Sequence, residues 1–269
     1  MTTLKVVSYN IHKGKSAFGK RESLADLQSG LTQLGADLVF LQEVQGRNSR
    51  IESLHAQPDM LANHLSMDVC YGCNAVRTDT DHGNALLSRF RILSHENEDI
   101  SDHRMEQRGV LHARVEIDGK MVHCFVAHLG LFAGSRGRQV IAIIERIKRM
   151  VPDNEPLILA GDFNDWNEKL APYFDHELGL HEVFANSPLR IDNELPRLKT
   201  SLRSMMNGRG LLSVDQLAPP RTFPAVFPWL RLDRMYQRGF TILSAQVLKG
   251  RPWARISDHA PILAELELA

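Results

Sequence analysis

Polar side chains of the types that hold metal ions or move protons follow several short apolar runs of this sequence. They lie at or near the ends of those runs, at Asn10 and His12, Glu43, His128, Asp162 and Asn164, Asp233, and Asp258 with His259. A lone Asp or Asn at such a place is usually a turn former or a helix cap. So many together are hard to explain by capping alone, because strand ends are where α/β proteins assemble their sites. The sequence therefore predicts one polar site built from both ends of the chain.

Hard oxygen ligands are one part of this set. Asn10 and Glu43 offer such oxygens and converge if their two strands are neighbours, and magnesium is typically held by one or two carboxylates together with waters. The interpretation of Asn10 as a strand-end cap and Glu43 as an exposed acid stays open. Asp162 and Asn164 add a carboxylate and an amide two residues apart, which point the same way on an extended chain. Such a pair can take a proton from water and donate to a phosphate oxygen.

The second part of this set of polar residues is a histidine that can act as an acid if its pKa is raised. Asp258 and His259 are adjacent, just before Pro261. Neighbouring side chains of an extended segment face opposite ways, so the carboxylate that orients His259 has to come from another element. Asp233 is the best candidate. A His held by a buried Asp has a fixed tautomer and a raised pKa, which suits it to protonate a leaving group.

The elements that carry these residues are predicted to form a mixed α/β chain with an antiparallel middle. A capping box at Ser23 and Asp26 predicts the start of the first helix, and an apolar stripe at helical spacing predicts a second over residues 138–150. Residues 167–185 are expected to be irregular helix and residues 186–220 a long surface excursion. Strands are predicted for residues 4–11, 36–44, 83–88, 109–117, 121–129, 156–163, 230–236, 242–248 and 261–268.

The composition is that of an ordinary soluble globular chain, which we expect to form one domain over residues 1–269. Hydrophobic residues make up 43% and charged residues 24%, which excludes intrinsic disorder. The 32 Lys+Arg residues balance 32 Asp+Glu residues, so the chain lacks the strong positive field of most dedicated nucleic-acid binders. An odd number of cysteines, three, indicates free thiols. With no transmembrane segment and no signal peptide in the pattern, we expect a cytoplasmic protein.

Seven short motifs occur in one order from residue 9 to residue 259. In that order they resemble the signatures of the endonuclease/exonuclease/phosphatase superfamily, whose members include deoxyribonuclease-I-like enzymes. A closer resemblance, carried by residues 10–14, 161–166 and 221–234, is to an uncharacterised bacterial subgroup. The motifs are Tyr9-Asn10-Ile11, Leu41-Gln42-Glu43, Gly83-Asn84-Ala85-Leu86-Leu87-Ser88-Arg89, Ala127-His128-Leu129, Gly161-Asp162-Phe163-Asn164, Leu232-Asp233 and Ser257-Asp258-His259.

The resemblance implies an α/β fold, a four-layer α/β/β/α sandwich in which two mixed β-sheets pack face to face with helices outside. It also implies a divalent-metal-dependent hydrolase that cleaves a phosphate ester, with a phosphodiester favoured, by metal-assisted attack of water. The cofactor is then Mg²⁺ or Mn²⁺. Carried over by position, Glu43 is the principal metal ligand, and Asn10 and Asp258 complete the metal region.

The resemblance assigns the chemistry of the reaction to five residues. Asp162 orients or deprotonates the attacking water, and Asn164 holds the phosphate. His259, oriented by Asp233, binds the phosphoryl group and acts as acid or electrophile. His128 contacts another phosphate oxygen. The metal supplies Lewis-acid stabilisation of charge.

Three further residues, His12, Asn84 and Arg108, are expected to line the cleft as substrate contacts, although packing or capping explains each nearly as well. The substrate class stays open between nucleic acid, a phospholipid head group and a small phosphodiester. The aromatic segment 222–230 predicts peripheral lipid contact or base stacking if it is exposed. A buried strand lead-in is slightly favoured, because Phe and Trp are costly to expose.

A different class of function also fits this fold. A binding or scaffold protein can keep the fold of an enzyme family without turnover. The completeness of the site separates the two hypotheses. No signature residue is missing here, so the sequence favours an enzyme.

Overall fold

Two mixed β-sheets dominate the computed structural model, which describes residues 2–19, 21–103, 105–166, 169–191 and 218–269. The strands are β1 Thr3–Asn10, β2 Leu38–Val44, β3 Asp68–Val76, β4 Asp81–Ser88, β5 Ile92–Asp99, β6 Gly109–Ile117, β7 Lys120–His128, β8 Leu157–Asp162, β9 His181–Glu182, β10 Arg190–Ile191, β11 Asp233–Arg238, β12 Phe240–Val247 and β13 Ile262–Leu268. The helices are α1 Leu24–Leu34, α2 Gln57–Leu65, α3 Ala133–Met150, α4 Ala171–Leu178 and α5 Trp253–Ile256, with 3-10 turns at His12–Gly14 and Glu52–Leu54.

The sheets pack face to face, and helices cover their outer faces. One sheet has the order β10-β12-β13-β1-β2-β4-β3 and the other β5-β6-β7-β8-β11-β9. Side chains of both sheets, such as Phe40 and Val126, share the core between them. Ile143 of α3 packs on the second sheet, and Leu27 of α1 packs on the first. The result is the four-layer α/β/β/α sandwich that the resemblance implies.

Strand register brings the polar strand ends to one place. β1 and β2 are parallel, with Asn10 opposite Gln42, so Glu43 follows one residue later on the neighbouring strand. β7 and β8 are also parallel, and their last pair is His128 with Asp162. β11 runs antiparallel to β8 and begins with Asp233 opposite Asp162. Because side chains at paired positions lie on the same face, these residues meet at one end of the sandwich.

Most predicted strands are present, and the differences are informative. Three elements, α2, β3 and β5, occupy segments for which the sequence predicts no element. Among the described residues of 167–185, helix is confined to α4, which β9 follows. Most of the predicted surface excursion, residues 192–217, lies outside the described residues. Ser23 precedes α1 but does not cap it, because its buried Oγ donates to Ile256 O at 2.7 Å. In the described part of the chain, no helix has the length and hydrophobicity needed to cross a bilayer.

Candidate active site

The carboxylate of Asp162 is the centre of a buried polar pit between the two sheets. Asn10 Nδ2 donates to its Oδ2 at 3.0 Å, and the Asn164 backbone N–H donates to its Oδ1 at 3.0 Å. The Nε2 atoms of His128 and His259 lie 3.5 Å and 3.6 Å from the same Oδ2. Burial raises the pKa of Asp162 to about 6, although His259 and the two hydrogen bonds oppose it. A carboxylate in this range is suited to accept a proton near neutral pH.

Gly161 makes the close approach of β7 and β8 possible. Its φ is +155°, and a Cβ placed on it would lie 1.9 Å from Ala127 O on the neighbouring strand. Any larger residue would push the two strand ends apart. The glycine of the Gly161-Asp162 pair therefore positions His128 beside Asp162.

The chain turns immediately after Asp162. Asn164 has a left-handed backbone, with φ +49°, and its Nδ2 donates to Leu129 O at 2.9 Å. The two side chains therefore do not project from one extended segment, as the spacing alone predicted. Instead, Asn164 closes a turn on the Asp162 carboxylate, and the same turn ties β8 to the residue after β7.

His259 is held between two carboxylates. Its Nδ1 lies 2.9 Å from Asp233 Oδ2, and its Nε2 faces Asp162. Burial alone would lower the pKa of His259, but the charges of Asp233 and Asp162 outweigh burial and raise it to about 10. The ring is therefore an imidazolium, and the predicted pairing of Asp233 with His259 is present. Phe223 packs against this ring, with centroids 5.0 Å apart.

Two groups of residues differ in how well they fit a divalent cation. Ligand atoms of Asp162, Asp233 and His259 lie within 4.8 Å of one another, which is compact enough for an ion. However, both nitrogens of His259 face carboxylates, and its raised pKa keeps both of them protonated. A protonated imidazole has no lone pair for a metal. In this protonated state the imidazolium, rather than a metal ion, bridges the two carboxylates. The oxygen ligands predicted for the cation, Glu43, Asn10 and Asp258, form the other group.

Glu43 is presented by an irregularity at the end of β2. The pairing of β2 with β4 shifts register between Leu41 and Val44, and Glu43 adopts a left-handed backbone with φ +55°. Such a conformation costs about 1 to 3 kcal/mol for a non-glycine residue, and it is concentrated at functional sites. Lys13 Nζ lies 2.9 Å from Glu43 Oε2.

The charge state of Glu43 follows from its neighbours. Burial alone would raise the pKa of Glu43, but Lys13 opposes burial with both its charge and its hydrogen bond, and the pKa is held well below its usual range. Burial also lowers the pKa of His128 well below its usual value, so that ring is neutral. Lys13 is therefore the cation that faces Glu43, and the carboxylate stays ionised.

Asn10 and Asp258 lie on either side of one hydrogen-bonded link. Ser257 Oγ donates to the Asn10 backbone carbonyl at 2.7 Å and is 3.2 Å from Asp258 Oδ1. The link ties the segment before β13 to the end of β1. The carboxylate and amide oxygens of Glu43, Asn10 and Asp258 are a donor set that suits Mg²⁺ or Mn²⁺, since both prefer oxygen ligands.

One known family accounts for nearly the whole chain. The model of the Endonuclease/Exonuclease/phosphatase family matches residues 7–259. The chain belongs to this family. Its members include metal-dependent hydrolases that act on phosphoesters.

Individual family members agree with this placement. The uncharacterized protein YbhP of Escherichia coli K12 is 38% identical over 275 residues, which cover 99% of this chain and 97% of the relative. A family protein from Bacteroides vulgatus superimposes with a TM-score of 0.74 at 16% identity, with both chains fully covered. The Bacteroides thetaiotaomicron mannosyl-6-phosphatase Bt3783 gives a TM-score of 0.68 at 18% identity, covering 98% of this chain and 99% of that one. Both structures show the same fold.

The three predicted substrate contacts take different positions relative to the pit at Asp162. Asn84 is fully buried, and its Nδ2 donates to Gly109 O at 2.9 Å and Val126 O at 3.1 Å. It therefore links the two sheets. His12 is half-buried in the turn after β1, with Nδ1 3.2 Å from Ser16 O.

Arg108 lines a cleft of ≈ 610 Å³ beside the pit. Its Nη2 pairs with Glu106 at 3.0 Å and its Nε donates to Leu129 O at 3.1 Å. His82 lines the same cleft, and its pKa is lowered to about 4 by burial first and by Lys13 next. Arg108 is thus anchored in place with part of its surface toward the cleft.

Sequence reasoning did not assign two residues that border the site, His82 and Ser257. For Lys13, in the basic loop of residues 13–21, the sequence leaves open a solvated loop and a phosphate-guiding rim, since nothing in it reports a left-handed backbone. His82 directly precedes the Gly83-Asn84 motif, and Ser257 lies within the motif that ends in His259. Their position inside or beside a motif was the only available signal.

The aromatic segment is exposed, which corrects the slightly favoured expectation that it is a buried strand lead-in. Val226 is 70%, Phe227 78% and Trp229 60% exposed. The segment is nevertheless ordered by its own backbone, because Trp229 N donates to Phe223 O at 2.9 Å. It is also bonded to the site, since Ala225 N donates to Asp258 O at 2.7 Å. The apolar side chains therefore project beside the pit from a fixed turn.

Proposed function

We propose that this chain is a divalent-metal-dependent hydrolase of a phosphate ester, with Mg²⁺ or Mn²⁺ held by Glu43, Asn10 and Asp258. The observation that carries the proposal is geometric: Asn10, His128 and His259 surround the buried Asp162 carboxylate at 3.0, 3.5 and 3.6 Å. The pKa values agree with opposite roles for two of these groups. Asp162, with a pKa of about 6, is poised to accept a proton, and His259, with a pKa of about 10, is poised to donate one. Two titratable groups whose environments push their pKa values apart are the mark of an acid/base pair.

The residues divide the work of hydrolysis. Asp162 takes a proton from the attacking water, while Asn10 and Asn164 fix its carboxylate by hydrogen bonds. His259 gives its proton to the leaving oxygen, and Asp233 holds the ring in the orientation for that transfer. A bound divalent cation supplies Lewis-acid stabilisation of the phosphoryl charge. In this proposal His128 contacts a further phosphate oxygen through its neutral ring.

A phosphodiester suits the charge of the pit better than a monoester does. Glu43, Asp162, Asp233 and Asp258 bring four negative charges, which Lys13 and His259 balance only in part. A divalent cation then brings the pit close to neutrality. A pit near neutrality has no surplus positive charge to offset the second negative charge of a monoester, so the singly charged diester suits it better.

The exposed aromatic segment favours one substrate class over the others. Aliphatic and aromatic side chains at Val226, Phe227 and Trp229 suit insertion at a lipid surface, whereas bases stack on aromatic rings alone. The balanced charge of the chain gives little attraction for a long nucleic-acid backbone. We therefore favour a phosphodiester presented as a lipid head group, reached by peripheral contact. Free cysteines at positions 70, 73 and 124 suit the proposed cytoplasmic location.

The experiment is hydrolysis of an aryl phosphodiester in Mn²⁺ or Mg²⁺ by the wild type and by Glu43→Gln, Asp162→Asn and His259→Gln. Each variant is expected to lower turnover by roughly 10² to 10⁴-fold. Glu177→Gln is the matched control, since Glu177 is an exposed carboxylate that pairs with Lys148 at 2.6 Å. Circular dichroism verifies that each variant is folded. Unchanged turnover in all three folded variants would remove the proposal, and a silent binding protein would bind Mn²⁺ without turnover.

A further inference from the structure

The turn after β1 has an unusual backbone. Three successive residues, His12, Lys13 and Gly14, have positive φ angles of 47°, 59° and 69°. Only glycine adopts this region without cost, and a side chain there is disfavoured by about 1 to 2 kcal/mol. Two of the three residues carry side chains, so the surrounding structure has to impose the conformation.

Gln57 at the start of α2 holds this turn in place. Its side chain is fully buried, and its Nε2 donates to Lys13 O at 2.9 Å. Its Oε1 accepts from Gln45 N at 3.0 Å, just beyond Glu43. A Cβ on Gly14 would lie 2.6 Å from Gln57 Nε2, so glycine is required for this contact. One glutamine thus fixes both the Lys13 turn and the chain that carries Glu43.

The turn engages two of the residues assigned to the metal. The His12 backbone N–H donates to Asn10 Oδ1 at 3.1 Å. Lys13 Nζ lies 2.9 Å from Glu43 Oε2, with the Lys13 side chain 37% exposed and the Glu43 side chain 19% exposed. Both Lys13 and Glu43 have left-handed backbones. The fold therefore constrains the backbones of both residues, and the Lys13 side chain reaches Glu43 from a fixed turn.

We propose that Lys13 is a built-in counterion that competes with the divalent cation for Glu43 and moves to a phosphate oxygen when cation and substrate are both bound. The proposal rests on the proposed function. An ammonium and a dication repel each other at one carboxylate, so the cation has to displace the Lys13 head group. Its stem is long, flexible and partly exposed, so the head group can move without breaking the turn. A phosphate oxygen is the nearest new partner that the reaction brings.

This arrangement couples cation binding to phosphate binding. With Lys13 on Glu43, the cation binds weakly, and phosphate relieves the competition by giving Lys13 another partner. The coupling is reciprocal, so the cation must strengthen phosphate binding by the same factor. The cation and the substrate therefore favour one another's binding, although neither depends on a change of fold.

The test is calorimetric titration of Mn²⁺ into the wild type, Lys13→Gln and the control Lys15→Gln, each with and without inorganic phosphate. Gln keeps most of the aliphatic stem of Lys and has to adopt the same left-handed backbone at position 13, but it carries no charge. Without phosphate, Lys13→Gln is expected to bind Mn²⁺ about tenfold more tightly, the size expected for one unit charge beside a dication in a half-exposed site. With phosphate, affinity for Mn²⁺ rises in all three proteins, because cation and phosphate attract each other directly, but the rise is smaller in Lys13→Gln than in the wild type and Lys15→Gln. Lys13→Arg restores the wild-type pattern.

Each outcome decides one point. Equal Mn²⁺ affinity in Lys13→Gln and wild type overturns the competition. Tighter Mn²⁺ binding with unchanged phosphate coupling overturns the movement of Lys13 to phosphate. Glu43→Gln, measured in parallel, keeps these results separate from the proposed function: if it binds Mn²⁺ as the wild type does, the metal assignment itself fails. If Lys13→Gln does not fold, Lys13→Met gives the same charge change with a different side chain.

Discussion

Asp233 lies directly opposite Asp162 where β11 pairs with β8, and the imidazole of His259 contacts both, with nitrogen-to-oxygen distances of 2.9 Å and 3.6 Å. Two ionised carboxylates on adjacent strands repel each other in a buried place. The imidazolium offsets that repulsion. The strand pairing and the protonation of His259 are therefore parts of one arrangement.

Asp233→Asn is expected to lower turnover of an aryl phosphodiester by roughly 10² to 10⁴-fold, because the ring loses the group that orients it. The pKa of His259 should fall below its value of about 10, since Asp233 is the strongest of the groups that raise it. Histidine proton resonances followed through a pH titration measure the shift. Asp175→Asn is the control, because it removes an exposed Asp–His pair of 3.3 Å with His181. An unshifted His259 resonance in Asp233→Asn contradicts the prediction.

Gly161→Ala is expected to lower the free energy of unfolding by about 3 kcal/mol or more, since the new Cβ would overlap backbone atoms that have little room to move. The nearest is Ala127 O, which would lie 1.9 Å from that Cβ. Gly137→Ala in α3 is the matched control, because a Cβ there meets nothing within 4 Å. Alanine should stabilise that helix by about 0.5 to 1 kcal/mol. Urea denaturation compares the two, and equal effects would argue against close packing of β7 on β8.

Glu182 on β9 should make stability depend on pH. Ala185 N donates to its Oε2 at 2.5 Å, whereas its buried Oε1 has no hydrogen-bond partner among the described residues. Burial raises the pKa of Glu182 from 4.5 to about 7. A folded pKa above the unfolded one means that the group favours folding fully below about pH 4.5, and that this contribution is lost as the pH rises through about 7.

Glu182→Gln removes this dependence, because the amide stays neutral. At about pH 8 the variant is expected to exceed the wild type in free energy of unfolding by at most about 3 kcal/mol, and the gain should shrink toward about pH 5. Urea titrations across that range measure the difference. Glu177→Gln, at an exposed site, should show no such trend. A constant difference between Glu182→Gln and wild type at every pH would contradict the assigned direction.

Phe227 and Trp229 are expected to carry peripheral lipid contact. The double variant Phe227→Ser/Trp229→Ser should bind anionic phospholipid vesicles at least about fivefold more weakly, because apolar area that enters the interface is lost. Ile141→Ser, which removes a 53% exposed apolar side chain from α3, is the control. Co-sedimentation measures binding, and hydrolysis of a soluble aryl phosphodiester should be unchanged in both variants. Equal co-sedimentation of the wild type and the double variant with vesicles would contradict the predicted lipid contact.

The parts of this site that the sequence predicted depend on two simple features. One is the alternating direction of side chains along a strand, and the other is the position of polar residues at strand ends. Asn10 and Glu43 follow apolar runs that are buried on both faces, and such runs form neighbouring parallel strands. Asp233 was assigned to His259 by excluding the adjacent Asp258, an argument that needs only the opposite directions of neighbouring side chains. The segments that became β3 and β5 were missed because their burial is intermittent, and their apolar residues give no clear period.

What the sequence did not predict depends on backbone conformation and on distant partners. Lys13 faces Glu43 because both have positive φ angles, and no pattern of residue types reports that. Ser23 has the spacing of a capping residue, but its hydroxyl donates to the backbone carbonyl of Ile256, far along the chain. The segment at Phe227 was expected to be buried because exposing Phe and Trp to water is unfavourable. Its own backbone hydrogen bonds nevertheless keep it ordered in contact with water.

The position of β13 has a consequence for synthesis. This strand is the last one described, yet it lies between β12 and β1 in the interior of its sheet, and it directly follows the segment that carries Asp258 and His259. While a ribosome is still translating that segment, β1 has an open edge and His259, the proposed proton donor, is absent. A prematurely terminated copy therefore lacks the proposed acid and is prone to aggregate, since an unpaired edge invites other strands.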